Sequence, residues 1–124
     1  MKNQVLSIEQ MQELIELGID ISKASICWIG CADVNDVYPY NSTFKDIFEN
    51  HKETMPTVLT PTFSLQDILD MLPRAWEIGA YNANRNTITV FLDDEIGYCH
   101  QEVSDSLLEA AFNMLKWCKQ NNYI

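Results

Sequence analysis

Apolar positions recur along this chain at two periods, one near 3.6 and one of 2, and the two alternate in blocks. Between Ser7 and Leu17, Ile8, Met11 and Ile15 fall on one helical face while Glu9, Glu13 and Glu16 fall on the other, the pattern of a surface helix packed on a core. Its start is marked by Ser7 as N-cap, by Gln10 closing a capping box, and by Leu6 with Met11 as a hydrophobic staple; Gly18 supplies the stop. A second stripe, Leu65, Ile68, Leu69 and Leu72, follows Ser64, with Phe63 and Ile68 as the staple pair and Asp67 near the positive helix end. Pro73 ends it, because the residue before a proline is pushed out of the helical region. The longest stripe begins at Ser104, where Val103 and Leu108 form the staple. Leu107, Leu108, Ala111, Leu115 and Cys118 line one side of it, Asp105, Glu109, Asn113 and Lys116 the other, with Lys116 and Lys119 at the negative end.

Period-2 alternation marks the strands. Trp76, Ile78 and Ala80 alternate with Glu77, Gly79 and Tyr81, and Ile88, Val90 and Leu92 alternate with Thr87, Thr89 and Phe91 across the turn-rich Asn82-Ala83-Asn84-Arg85-Asn86. This predicts a β-hairpin. Asp93-Asp94-Glu95 and Gly97 make the next turn, after which Tyr98 to Val103 returns as a third, more exposed strand. Between Ile19 and Pro61 the signal thins. Ile26 to Ile29 reads as a short buried strand ending at Gly30, Asp33 to Asn41 as loop, Ser42 or Thr43 to about Asn50 as a short helix carrying Phe44, Ile47 and Phe48, and Thr54 to Thr62, with its two prolines, as extended chain fit for a sheet edge. The predicted fold class is α+β: a small antiparallel sheet of three to four strands in a meander with helices on both faces, an α-β-α sandwich formed by residues 1–124 as one domain.

Composition changes this picture little. With 124 residues, 47% hydrophobic and 21% charged, the chain has the make-up of one ordinary globular domain with a real core. The charge changes it more: 18 acidic against 8 basic residues leave a net charge of −10, which argues against nucleic acid and anionic membranes as partners. No apolar run reaches the ~20 residues of a membrane span and the first residues lack a signal-peptide core, so the expected location is cytoplasmic. Cys27, Cys31, Cys99 and Cys118 are then expected as reduced thiols, mostly acting as small buried hydrophobes.

Candidate chemistry is sparse. Cys27 and Cys31, with His51, Cys99 and His100 elsewhere, are residue types that zinc accepts, yet residues four apart on a strand lie ~13 Å apart and cannot share an ion. Cys99 and His100 are neighbours on a strand and point to opposite faces, so they form no thiol–imidazole dyad with each other. Asp93, Asp94 and Glu95 could hold a divalent cation only if further oxygens converged on them, and turn chemistry accounts for the same residues. The glycines fit no phosphate-binding loop and no nucleophile elbow. No catalytic residue, cofactor or metal is therefore expected. The aromatic residues read mainly as core and rim, except Tyr38 and Tyr40 around Pro39, two loop tyrosines that suit a contact surface.

The stretch Pro61-Thr62-Phe63-Ser64-Leu65-Gln66-Asp67-Ile68-Leu69-Asp70-Met71-Leu72-Pro73, then a strand pair, then Asp105-Ser106-Leu107-Leu108-Glu109-Ala110-Ala111 and Trp117 before a closing Asn-Asn-Tyr-Ile, resembles the phage ABA sandwich domain over residues 56–124. That family comprises small phage and prophage proteins. The resemblance implies a helix–sheet–helix sandwich and a mobile-element origin, with no established activity and no catalytic residues to carry over. The function expected from it is macromolecular binding by a phage or prophage accessory protein with a protein partner; the alternatives are an enzyme of unfamiliar class and an acidic mimic of DNA. At the last helix, Asn122 is expected as the left-handed C′ residue and Tyr123 as C″ with its ring near Cys118, leaving Tyr123 and Ile124 ordered and partly buried.

Overall fold

Local signals at helix ends are satisfied almost as written. A computed structural model describes residues 5–31, 34–39, 58–73, 75–82, 85–93 and 97–124. Helix α1 runs Ile8–Glu16. The Gln10 backbone N–H donates to Ser7 Oγ at 3.1 Å and the Ser7 N–H donates to Gln10 Oε1 at 2.9 Å, so the capping box closes in both directions. Gly18 (φ +87°) ends the helix as a Schellman stop: its N–H donates to the Ile15 carbonyl and that of Ile19 to the Leu14 carbonyl. The buried face is set by Met11 and Leu14. Ile15, expected on that face, lies at its margin and is exposed, while Glu9, Glu13 and Glu16 face solvent as expected.

The residues group into two compact units, Met1–Asp67 and Ile68–Ile124. In the first, a short 3-10 turn, Ile21–Lys23, is capped by Asp20, whose carboxylate accepts from the Ser22 N–H at 2.9 Å. That bond holds the Asp20 carboxyl below its ordinary pKa. Strand β1 (Ile26–Cys31) lies between β2 (Val34–Pro39) and β3 (Val58–Thr62), antiparallel to both. The loop expected over Asp33 to Asn41 is thus corrected: Val34–Pro39 is an edge strand, paired with β1 in unbroken register from Ile26 opposite Pro39 to Cys31 opposite Val34. Its Asn, Asp and Pro hid it, because they are depleted in strands and tolerated mainly at edges. Strand β3 takes the expected edge position, with Pro61 in register with Cys27. Val5 bridges Ser64, Leu6 N–H donates to the Phe63 carbonyl, and Thr62 Oγ donates to the Leu6 carbonyl at 2.7 Å, which ties the segment before α1 to the end of β3. The helix expected between Ser42 and Asn50 lies outside the described residues.

Helix α2 (Leu65–Met71) follows Ser64, whose Oγ accepts from the Asp67 N–H at 3.2 Å. Ile68, Leu69 and Leu72 of the expected stripe are buried, and the helix stops before Pro73 as expected.

In the second unit β4 (Trp76–Asn82), β5 (Arg85–Asp93) and β6 (Tyr98–Ser104) form an antiparallel meander in the order β4-β5-β6. The hairpin is longer than its sequence suggested: Asn82 already pairs with Arg85, past an irregularity between Ala80 and Asn82. Helix α3 (Leu107–Gln120) packs on β5 and β6. Its start is corrected by two residues, from Ser104, the last residue of β6, to Ser106, whose Oγ accepts from the Glu109 N–H. Its buried positions are Ala110, Ala111, Phe112, Met114, Leu115 and Cys118, a wider face than the predicted stripe. The result is the expected α+β class, with three α-helices and antiparallel sheets of three strands among the described residues. Among the described residues no helix is long and apolar enough to cross a membrane.

Candidate functional site

Register decides what the β4–β6 sheet offers. Directly opposed residues of an antiparallel pair share a face. Trp76, Val90 and His100 therefore stand on one face, together with Ile78, Ile88 and Glu102. Glu77, Thr89 and Gln101 stand on the other with Phe91 and Cys99. The first face is the one α3 covers: Ile88 and Val90 are fully buried, and the His100 ring lies flat on Trp117 with centroids 3.7 Å apart.

At the β6 side of this face the side chains form one continuous array. His100 Nε2 is 2.9 Å from Glu102 Oε1, with both side chains about one-quarter exposed at 28% and 26%. Trp117 carries His100 on one side and Tyr123 on the other, the latter at 5.4 Å and 13°. Loss of hydration first, and then the neighbouring Tyr98 phenol, hold the Tyr123 phenol above its ordinary pKa. Cys118 beneath is fully buried, and burial, reinforced by the Glu102 charge, pushes its thiol up to about 11. Tyr98, His100 and Glu102 are spaced i, i+2, i+4 on one strand, a signal present in the sequence, but only the strand–helix register shows that Trp117 meets His100.

The helix end supports this array. Asn122 takes φ +62°, its N–H donates to the Lys119 carbonyl, and the Tyr123 N–H donates to the Cys118 carbonyl at 2.8 Å, the two bonds of the expected Schellman stop. The Tyr123 ring finds Trp117 as its stacking partner rather than packing on Cys118 alone; Tyr123 and Ile124 keep 41% and 37% exposure.

At the opposite side of the sheet, β4 is an edge among the described residues. The Phe91 N–H donates to the Ala75 carbonyl, so the pairs that share hydrogen bonds are Ala75 with Phe91, Glu77 with Thr89 and Gly79 with Thr87. The intervening residues Trp76, Ile78 and Ala80 then turn their N–H and C=O groups away from β5. Trp76 and Ile78 are also 36% and 41% exposed, and Phe91 and Tyr98 on the same sheet are 40% and 45% exposed. Gly79 sits so close to β5 that a Cβ there would lie 2.9 Å from Thr87 Oγ.

The residues singled out in the sequence are scattered. Tyr38 lies in edge strand β2, in register with Cys27, while Tyr40 and His51 lie outside the described residues. Cys27 and Cys31 occupy one strand, four residues apart. Asp93 ends β5 opposite Tyr98, and Asp94 and Glu95 lie outside the described residues. Cys99 is exposed on the face opposite His100. Among the described residues no three His, Cys, Asp or Glu side chains converge on a metal-sized site. No family model, no curated protein and no solved structure matches the chain.

Proposed function

We propose that the chain acts by binding another protein, as a phage or prophage accessory factor working in the cytosol. The observation that carries this reading is the concentration of exposed apolar side chains on one small sheet, above all Trp76 and Ile78, neighbours on the same face of a strand whose outer edge is unpaired among the described residues. Aromatic side chains left in solvent are the compositional mark of contact surfaces, and a free strand edge adds directional hydrogen bonds. The resemblance of residues 56–124 to the phage ABA sandwich domain supports the accessory role.

The test is affinity capture from a bacterial lysate with the wild-type chain and with Phe91→Ser and Trp76→Ser variants of matched circular dichroism. A defined partner held by the wild type and released by either variant is expected; equal retention by all three chains overturns the reading.

A second reading, an enzyme, draws on the His100–Glu102 pair, since an imidazole held by a carboxylate is the arrangement of a general base. The neighbouring Cys118 is kept as a neutral thiol by its burial, which makes it a poor nucleophile at neutral pH. Binding is the better supported of the two.

A further inference from the structure

We propose that the β4 edge pairs with the β4 edge of a second copy of this chain, antiparallel about a two-fold axis through Ile78. The inference rests on the protein-binding reading above and names the occupant of one surface. Its basis is the self-complementarity of that strand. Trp76, Ile78 and Ala80 are the residues whose backbone groups point outward, and an incoming antiparallel strand must meet them with outward-pointing residues of its own. With the axis at Ile78, Trp76 stands opposite Ala80 of the second copy, Ile78 opposite Ile78, and Glu77 opposite Gly79.

Each pairing is favourable. The largest side chain meets the smallest, isoleucine meets isoleucine, and the one charged side chain between Trp76 and Ala80 meets a residue with none. Gly79 carries no side chain to set against the Glu77 side chain of the other copy, and the place its own Cβ would take is already held by Thr87 Oγ at 2.9 Å. Shifting the axis to Glu77 would set two carboxylates directly opposite each other, a destabilising arrangement. Shifting it to Gly79 would carry Trp76 past the irregularity at Ala80 and Asn82, where the ladder is broken. The Ile78 axis alone engages all three outward residues of both copies.

The seam would join two three-stranded sheets into one of six, in the order β6-β5-β4-β4-β5-β6, and would cover Trp76 and Ile78 of both copies in one apolar stripe. Trp76 to Ala80 contains no lysine and no proline, two of the residues that commonly blunt an edge, and the irregularity at Ala80 and Asn82 bounds the seam at one end. A seam this short belongs with small, reversible interfaces, and the overall charge opposes it.

Disulfide trapping tests the register directly. At a two-fold axis through a hydrogen-bonded pair the two position-78 Cα atoms lie about 5.5 Å apart, inside the range a disulfide spans. The two Glu77 positions, diagonal across the seam, lie roughly 8 Å apart by strand spacing and rise and cannot be bridged. Ile78→Cys and Glu77→Cys are oxidised side by side with the wild type, whose native cysteines give the background, and the cross-linked peptide is identified by mass spectrometry. The expected result is a 78–78 disulfide forming at least ten times faster than any cross-link of Glu77→Cys or the wild type, with sedimentation of the wild type showing a concentration-dependent dimer that Ile78→Lys abolishes. Equal trapping rates at the two positions, or a wild type that sediments as a monomer at every concentration, overturn the proposal. If that happens while an outside protein is still captured through Phe91 or Trp76, the second copy falls and the binding reading stands. A rapid 78–78 disulfide with no outside partner does the reverse.

Discussion

Asp67 holds three donors on one carboxylate oxygen. Oδ2 accepts from the Ser25 N–H at 3.1 Å, the Ser25 hydroxyl at 2.7 Å and the Ser64 N–H at 3.0 Å, while its own N–H is taken by Ser64 Oγ. The carboxylate therefore closes a helix N-terminus and pins the entry to β1 at once. Replacing it leaves two partly buried backbone N–H groups without that acceptor, so Asp67→Ala is expected to lower unfolding free energy by about 2 kcal/mol, and Asp67→Asn, which keeps an acceptor oxygen, by less. A urea midpoint for Asp67→Ala equal to wild type would mean that water replaces the carboxylate without loss. Cys118 makes a pH-dependent prediction. Its folded thiol titrates at about 11 against an ordinary 9.0, so the neutral form is favoured by folding. The stability this contributes is complete below pH 9.0 and is lost as pH rises through about 11. Cys118→Ala, which has no proton to lose, should show a stability difference from wild type that shrinks by on the order of 2 kcal/mol across that window. A constant difference would show that the thiol titrates alike in both states.

At the scale of elements, what was legible was what is local. The caps of α1 and α2, the stop at Gly18 and the left-handed Asn122 are written within a few residues of where they act, and each is found in place. Ser7→Ala should cost about 1 kcal/mol by removing the Oγ that accepts from the Gln10 N–H, while the bond from the Ser7 N–H to Gln10 Oε1 remains possible. Asn122→Gly should be neutral or stabilising and Asn122→Val destabilising by more than about 1 kcal/mol, since φ +62° suits glycine and strains a β-branched residue; melting midpoints in the reverse order would sink the Schellman assignment. What was not legible depends on pairing. Strand β2 carries Asn35, Asp36 and Pro39 and becomes a strand only because β1 offers it a ladder. Ser104 and Ser106 both have the chemistry of an N-cap, and the pairing of Ser104 with Asn86 in the sheet, which no local pattern announces, hands the cap to Ser106. The His100–Trp117–Tyr123 array escaped for the same reason: its members lie on two elements whose contact is fixed by sheet register, although each was visible singly as an aromatic or titratable residue.

For the molecule as a whole the sign of the charge constrains partners more firmly than any single residue. The excess of acid is not confined to one half: Met1–Asp67 carries 10 acidic and 4 basic residues, and Ile68–Ile124 carries 8 acidic and 4 basic. Neither unit holds enough cations to displace the counterions of a duplex, and that displacement supplies most non-specific affinity for DNA. The chain is therefore expected to pass unretained over immobilised duplex DNA at ~150 mM salt. Lowering the salt separates this account from weak but genuine DNA binding. A protein making several phosphate contacts gains orders of magnitude in affinity between ~200 and ~50 mM, whereas a chain repelled by the duplex gains nothing, because reduced screening strengthens the repulsion as well. A protein partner with a basic contact surface would respond in the opposite way, associating faster as salt falls. Surface plasmon resonance on duplex DNA and on the captured partner, each over the same salt series, reads both: a flat baseline on DNA with a rising association rate on the partner is expected. Retention on DNA that strengthens steeply at low salt would reveal a concentrated basic face and return nucleic acid to the set of partners.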